Sequence, residues 1–275
     1  MSEVIEHIQA MYQGHPISAA HILQKIGPGP HAPEDLWPHD QDHYGGLEAN
    51  ARIADRAGLA PGMRVADFCA GLGGPARWYA HVHDVDVTGV DLTPERVEGA
   101  AELTRAAGLS DRVRVLNGSI TDAPLPDGTY DAVVSQEAFL HIADYPLAVA
   151  EAYRVLKPGG RAVVTSLTAP IPLPDEDALL LRRGIGLFVA PSSERWAEVF
   201  SGAGFGTIET EDLSAEWAEV LRERLAMYMA LREETEAAGT PTGDTWFHRA
   251  YPRFVELITA GGLGGILIKG TRPGD

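Results

Sequence analysis

The sequence predicts an α/β fold: a seven-stranded, mostly parallel sheet with helices on both faces and an antiparallel last strand. Three observations carry this. From Met63 onward, short apolar runs alternate with segments of helical spacing, the βαβα order that builds parallel sheets through right-handed crossovers. A glycine-rich turn, Gly71 to Gly74, follows the first apolar run, where such sheets open their ligand crevice. The 275 residues, 45% hydrophobic and 22% charged, are enough for one large core.

The elements follow in order. Val4, Ile5, Ile8 and Met11/Tyr12 recur at helical spacing. A loop rich in Pro, Gly and His runs from Gly27 to Gly46, and Leu47 to Gly58 reads as a helix ended by its glycine. Strands are expected at 64–68, 85–90, 112–116, 130–135 and 161–168. Between them lie helices at 75–83, from Pro94 to about 108, and at 147–156, the second with Thr93 as N-cap and Pro94 at N1. The last hundred residues predict helices at 192–203, 214–238 and 244–260, and strands at 205–213 and 265–270 that suit an antiparallel edge pair. Residues 1–60 are expected to form an N-terminal helical cap, and 61–275 the main domain. A helical insertion at about 170–262 would cover the open end of the sheet.

Composition removes several function classes. A single cysteine forms neither an internal disulfide nor a multi-thiolate metal site. A formal net charge of −17 opposes duplex nucleic acid and anionic membrane as partners. The N-terminus lacks a basic region followed by an apolar run, and no stretch approaches 18 consecutive apolar residues, so a cytoplasmic location is expected. The segment His39-Asp-Gln-Asp-His43 has metal-ligand residue types, yet reads as a polar loop, and no metal is expected.

The chemistry concentrates at Asp67-Phe-Cys-Ala-Gly71-Leu-Gly73-Gly74-Pro75-Ala76. Gly71-x-Gly73-x-x-Ala76 formally fits a dinucleotide loop. Pro75, however, removes an N–H where a pyrophosphate needs donors, and Asp67 places a carboxylate where a diphosphate would be repelled. A cofactor with an ammonium, a sulfonium and a ribose diol suits these carboxylates better, which points to S-adenosylmethionine (SAM). Asp91, 24 residues after Asp67, ends the second strand and could take the ribose hydroxyls under either reading.

The stretch from about 61 to 168 resembles the class I, Rossmann-like SAM-dependent methyltransferases. The resemblance rests on Val65-Ala-Asp-Phe-Cys-Ala-Gly-Leu-Gly-Gly74, Val87-Thr-Gly-Val-Asp-Leu92, Asn117-Gly-Ser-Ile120, Leu125-Pro-Asp-Gly-Thr-Tyr-Asp131 and Val155-Leu-Lys-Pro-Gly-Gly160. Ser135-Gln-Glu-Ala-Phe-Leu-His141 and His43-Tyr-Gly-Gly46 resemble the branch holding glycine, sarcosine and dimethylglycine N-methyltransferases and bacterial natural-product tailoring enzymes. Two departures stand out: Cys69 replaces the family's first loop glycine, and Ser119 replaces an acidic residue after the third strand.

The resemblance implies that Asp67, Cys69, Ala70, Gly71 and Gly73 line the methionine end of the cofactor. By the same resemblance, Asp91 and Leu92 hold ribose, Ser119 and Ile120 flank adenine, Gln136 faces the methionine or the methyl, and Tyr44 closes over the site. His141 and then Glu137 are the general-base candidates, the former for an unperturbed pKa of about 6.5. Tyr12, His15, Phe139, Trp246 and Tyr251 are candidates for acceptor contacts. The expected activity is methyl transfer to a nitrogen or an activated carbon, such as an indole, of a small molecule in natural-product biosynthesis, with a homodimer as one possible assembly. An NAD-dependent oxidoreductase and a non-catalytic SAM-binding protein are the alternatives.

Overall fold

The computed structural model describes residues 3–13, 17–238, 243 and 245–274. In chain order the elements begin with α1 (Glu3–Gln13), α2 (Ala19–Ile26), α3 (Pro33–Leu36), α4 (Gly46–Ala57), β1 (Arg64–Phe68), α5 (Gly74–His83), β2 (Asp86–Asp91), α6 (Pro94–Ala106) and β3 (Val113–Asn117). They continue with β4 (Tyr130–Gln136), α7 (Tyr145–Val155), β5 (Leu156–Thr168), α8 (Asp175–Ile185), α9 (Ser193–Gly202), β6 (Ile208–Asp212), α10 (Ser214–Ala237), α11 (Trp246–Thr259) and β7 (Gly264–Thr271). The seven strands form one sheet in the order β3-β2-β1-β4-β5-β7-β6. Strands β1 to β5 pair in parallel, and β7 runs antiparallel between β5 and β6. This is the expected seven-stranded, mostly parallel Rossmann-like sheet.

Period-2 alternation sends side chains to both faces, and both faces are covered. Val65, Val87, Ala132, Val134, Val163 and Leu267 pack on one side with residues of α4, α5, α10 and α11. Ala66, Val90, Val133, Val164 and Ile268 pack on the other with α7 and α9, around the fully buried Trp196. A third cluster joins Ile22 of α2 and Leu36 of α3 to Leu103 of α6.

Three local differences from the sequence reading have physical causes. Strand β5 starts at Leu156 rather than 161 because Leu156 already pairs with Tyr130. The chain then bulges before pairing resumes between Ala132 and Arg161. Helix α2 begins on a Ser18 side-chain cap and ends at Gly27, and α8 carries Asp175, Glu176 and Asp177 in its first turn and ends on Gly186. These capping and dipole signals were legible in the chain. Helix α4, which a boundary at residue 60 assigns to a cap, buries Ile53, Ala54 and Ala57 in the main core, so it is one of the sheet-covering helices. No helix of the described residues is long and apolar enough to cross a membrane.

Candidate functional site

The carboxyl ends of β1, β2 and β4 open side by side, and Asp67, Asp91 and Gln136 stand at them. Asp67, on β1, is 4% exposed, and its Oδ2 has no hydrogen-bond partner. Burial, and then the neighbouring Asp91, push its pKa up to about 8. Asp91 closes β2. Its Oδ2 accepts the Gly71 N–H at 2.8 Å and its Oδ1 the Thr93 N–H at 2.9 Å, so it supports both the glycine loop and the entry to α6. Burial raises its pKa despite these bonds.

Between the two carboxylates the backbone turns through positive φ at Cys69 (60°), Gly71 (54°) and Gly73 (75°). The Ala70 N–H donates to the Val90 carbonyl and Gly73 N–H to the Ala70 carbonyl, closing the loop. Gly74 is needed for a different reason: a Cβ there would overlap the carbonyl of Asp40.

Leu92 is half-buried, and its carbonyl accepts the Gln9 Nε2–H of α1 and the Asn117 Nδ2–H, both at 3.1 Å. Ser119 is engaged locally with the Thr121 hydroxyl at 2.7 Å. Ile120 is buried in the core. Gln136, at the end of β4, donates from Nε2 to Asn50 Oδ1 (2.8 Å) and to the Tyr79 hydroxyl (3.0 Å), while its buried Oε1 has no partner.

A second group of residues pairs Tyr12 with His141 and Tyr44 with Glu137. His141 Nδ1–H donates to the Gly186 carbonyl at 2.8 Å, leaving Nε2 as the acceptor for the Tyr12 hydroxyl at 3.1 Å. Burial lowers the His141 pKa to about 4. This corrects the expectation of an unperturbed imidazole: the ring is neutral at physiological pH, an acceptor for Tyr12 rather than a reservoir for a proton. The Tyr12 ring lies under the Arg96 guanidinium, 4.9 Å from its centroid. Glu137 sits at φ 53° and accepts the Tyr44 N–H through both carboxylate oxygens, at 2.7 and 2.9 Å. Burial raises its pKa to about 8, the value better matched to a general base near neutrality.

Tyr44 packs edge-on against Trp217 at 5.1 Å, beneath Arg224 at 5.0 Å. Tyr251 stacks with Tyr228 and Phe247 in the cap. One expected contact is elsewhere. Phe139 is fully buried against Trp196 at 5.9 Å, so it supports the 137–142 segment from within the core and is not an acceptor contact. Trp246 is 44% exposed at the start of α11, under the Arg183 guanidinium at 4.8 Å. His15 lies outside the described residues. In the 39–43 segment, Asp40 pairs with Arg77 at 2.9 Å, Asp42 lies near Arg96, and His43 contacts Gln41.

Comparison with known proteins identifies the domain that holds this crevice. The family model described as "Methyltransferase domain" matches residues 66–164. That span runs from β1, through the glycine loop and Asp91, to β5. The chain contains a class I methyltransferase domain.

Over 192 residues, 69% of this chain, the sequence is 32% identical to phosphoethanolamine N-methyltransferase 3 of Arabidopsis thaliana. Over 188 residues, 68% of this chain, it is 32% identical to the glycine/sarcosine/dimethylglycine N-methyltransferase of Actinopolyspora halophila. These stretches span 38% and 33% of the two relatives' own lengths, so the chain matches about a third of each. Among solved structures, the [4+2]-cyclase SpnF superposes with a TM-score of 0.73 at 23% identity, covering 98% of this chain and 96% of that one. That likeness concerns fold alone.

Within the methyltransferase domain, Cys69 carries backbone strain. A non-glycine residue in the left-handed region costs about 1–2 kcal/mol, and φ is 60° here. Cys69→Gly is therefore expected to raise stability by about 1 kcal/mol, read as an increase in the urea midpoint at unchanged m. An unchanged or lower midpoint would show that thiol packing outweighs the strain.

Several residues of the site were not singled out from sequence: Gln9, Arg77, Tyr79, Arg96 and Arg224. Asn50 is the exception that left a signal. It lies on the buried stripe Asn50, Ile53, Ala54, Ala57 of α4, an amide where helical periodicity calls for an apolar side chain.

Proposed function

We propose that the chain uses SAM to methylate a small molecule, with a nitrogen as the favoured acceptor. The observation that carries this reading is Asp67, a buried carboxylate whose Oδ2 has no partner at the end of a glycine loop. An uncompensated buried acceptor calls for a cationic donor, and the α-ammonium of SAM is one, whereas a nicotinamide dinucleotide would bring diphosphate charge. When bound, SAM supplies a methyl on a sulfonium that is open to in-line displacement.

The protein's share is alignment and exclusion of water. Asp91 would take the ribose hydroxyls, and its two oxygens accept the Gly71 and Thr93 N–H groups. Helix α1 closes over Leu92 through Gln9 and over His141 through Tyr12. A nitrogen acceptor is supported by the two N-methyltransferase relatives and by Glu137, a carboxyl beside the aromatic rings of Tyr44 and Tyr251, which suits an amine. An aromatic carbon such as an indole fits the same walls with less use for Glu137. A role in natural-product biosynthesis follows the resemblance of the 135–141 segment. Localisation in the cytoplasm and a homodimeric state belong to the same proposal.

Incubation with methyl-labelled SAM and a fractionated metabolite pool, followed by mass analysis, tests the reading. Label on an amine is the expected result. Label on carbon would move the acceptor class, and no transfer from a protein that binds S-adenosylhomocysteine (SAH) would favour a non-catalytic binder. Thermal stabilisation by NADH but not by SAH would favour the oxidoreductase.

Tyr12→Phe keeps the ring on Arg96 and removes the hydroxyl from His141. Because His141 only accepts here, the loss is one of alignment, and kcat is expected to fall by roughly 10²-fold with little change in SAH affinity. A kcat within twofold of the parent would remove the Tyr12–His141 pair from the mechanism.

A further inference from the structure

A run of buried and half-buried side chains links Gln136, at the cofactor crevice, to Asp40, which packs behind the glycine loop against Gly74. Gln136 Nε2 donates to Asn50 Oδ1 at 2.8 Å, Asn50 Nδ2 donates to Gln41 Oε1 at 2.7 Å, and Gln41 Nε2 donates to Asp40 Oδ1. Asp40 Oδ2 pairs with Arg77 at 2.9 Å, and Arg77 also donates to the carbonyl of Leu72 in the glycine loop at 2.7 Å. Asp40, Asn50 and Arg77 are all buried.

The chain has a direction. An ionised carboxylate only accepts, so Asp40 fixes which end of the Gln41 amide faces it. Gln41 then presents its oxygen to Asn50, which in turn presents its own oxygen to Gln136. Each amide is oriented by the one before it, beginning from a charge that Arg77 holds in place. At the far end, Gln136 must point its NH2 inward, where the Tyr79 hydroxyl receives its second contact at 3.0 Å. Its Oε1 is thereby left buried and unpartnered. Asp67 Oδ2 is the other unpartnered carbonyl-type oxygen among the described residues' buried side chains. The two lie on adjacent strands, Asp67 opposite Val134 and Gln136 two residues on.

We propose that Asp40, acting through Gln41 and Asn50, sets Gln136 as a hydrogen-bond acceptor that joins Asp67 in receiving the α-ammonium of the cofactor. The inference rests on the SAM reading above. Gln136 is the contacting group. Asp40, Gln41 and Asn50 are positioning residues, and an apolar residue at 50 would free the Gln136 amide to rotate and present its NH2 to a cation.

The test is a ligand comparison: binding of SAH and of the analogue in which hydrogen replaces the α-ammonium, measured by calorimetry on the parent chain, Gln136→Met, Asn50→Leu and the double variant. The parent is expected to prefer SAH. Gln136→Met is expected to lose about tenfold of that preference, the scale of one hydrogen bond to a charged group, while binding the analogue unchanged. Asn50→Leu is expected to lose a similar part, and the double variant no more than either single one. A purely structural role for Asn50 would weaken both ligands alike and overturn its positioning role. An unchanged preference in Gln136→Met would overturn the inference even if Asn50→Leu did not fold. A parent that binds neither ligand would overturn the SAM reading, and this inference with it, whereas binding without any preference for SAH would overturn only the ammonium site.

Discussion

Asp67→Asn is expected to weaken SAH binding roughly 10- to 100-fold, the cost of replacing a charge-assisted hydrogen bond to an ammonium by a neutral one. The same substitution is expected to stabilise the ligand-free protein near neutral pH, because it removes a carboxyl from a buried position beside Asp91. The sign of the pH dependence follows from linkage. The folded pKa of Asp67 is raised to about 8, whereas an unfolded Asp titrates near about 4. Between those values the folded state holds a proton that the unfolded chain has released. Its contribution to stability is therefore fully present below about pH 4 and is lost as pH rises through 8. Glu137, also raised to about 8, adds a slope of the same sign. Ligand-free Tm should fall across this window, less steeply in Asp67→Asn.

Binding the ammonium favours ionised Asp67, so SAH binding at pH 7 should release most of a proton. That release is visible as a difference in binding enthalpy between buffers of different ionisation heat, and it should vanish in Asp67→Asn. Wild-type affinity in Asp67→Asn, or proton release that survives the substitution, would remove Asp67 from the cofactor site.

Asp40→Ala is expected to cost about 3–5 kcal/mol of stability, the range for removing one partner of a buried ion pair. Arg77 is 1% exposed and would be left as an uncompensated cation. Urea unfolding would show the loss as a lower midpoint at unchanged m. Replacing both partners, Asp40→Ala with Arg77→Met, should recover much of the loss, since an apolar pair carries no desolvation penalty. A midpoint shift in Asp40→Ala equivalent to less than about 1 kcal/mol, the scale of a surface pair, would mean that water reaches the guanidinium.

The strand positions, the helices that follow them and the loop that opens the crevice were legible because each depends on neighbours in sequence. Period-2 runs such as Val85 to Val90, Pro94 at the start of a helix and Gly71 and Gly73 at positive φ are local decisions. So is the placement of Asp67 and Asp91 at strand ends, and with it the class of cofactor that suits them.

The tertiary structure decided what those residues face. His141 changed from a titrating base to a neutral acceptor because burial lowers its pKa, outweighing the opposite pull of the Gly186 carbonyl, 45 positions away, which sets its tautomer. Phe139 moved from the crevice to the core because α9 places Trp196 against it. The segment 39–43, which reads as a polar loop, is anchored because Asp40 meets Arg77, 37 positions later in the chain. Hydrogen bonding and desolvation act through distances that chain order does not encode. The sequence alone therefore determined the fold and the place of the site, whereas the protonation states and the direction of the hydrogen bonds within it came only with the packed structure.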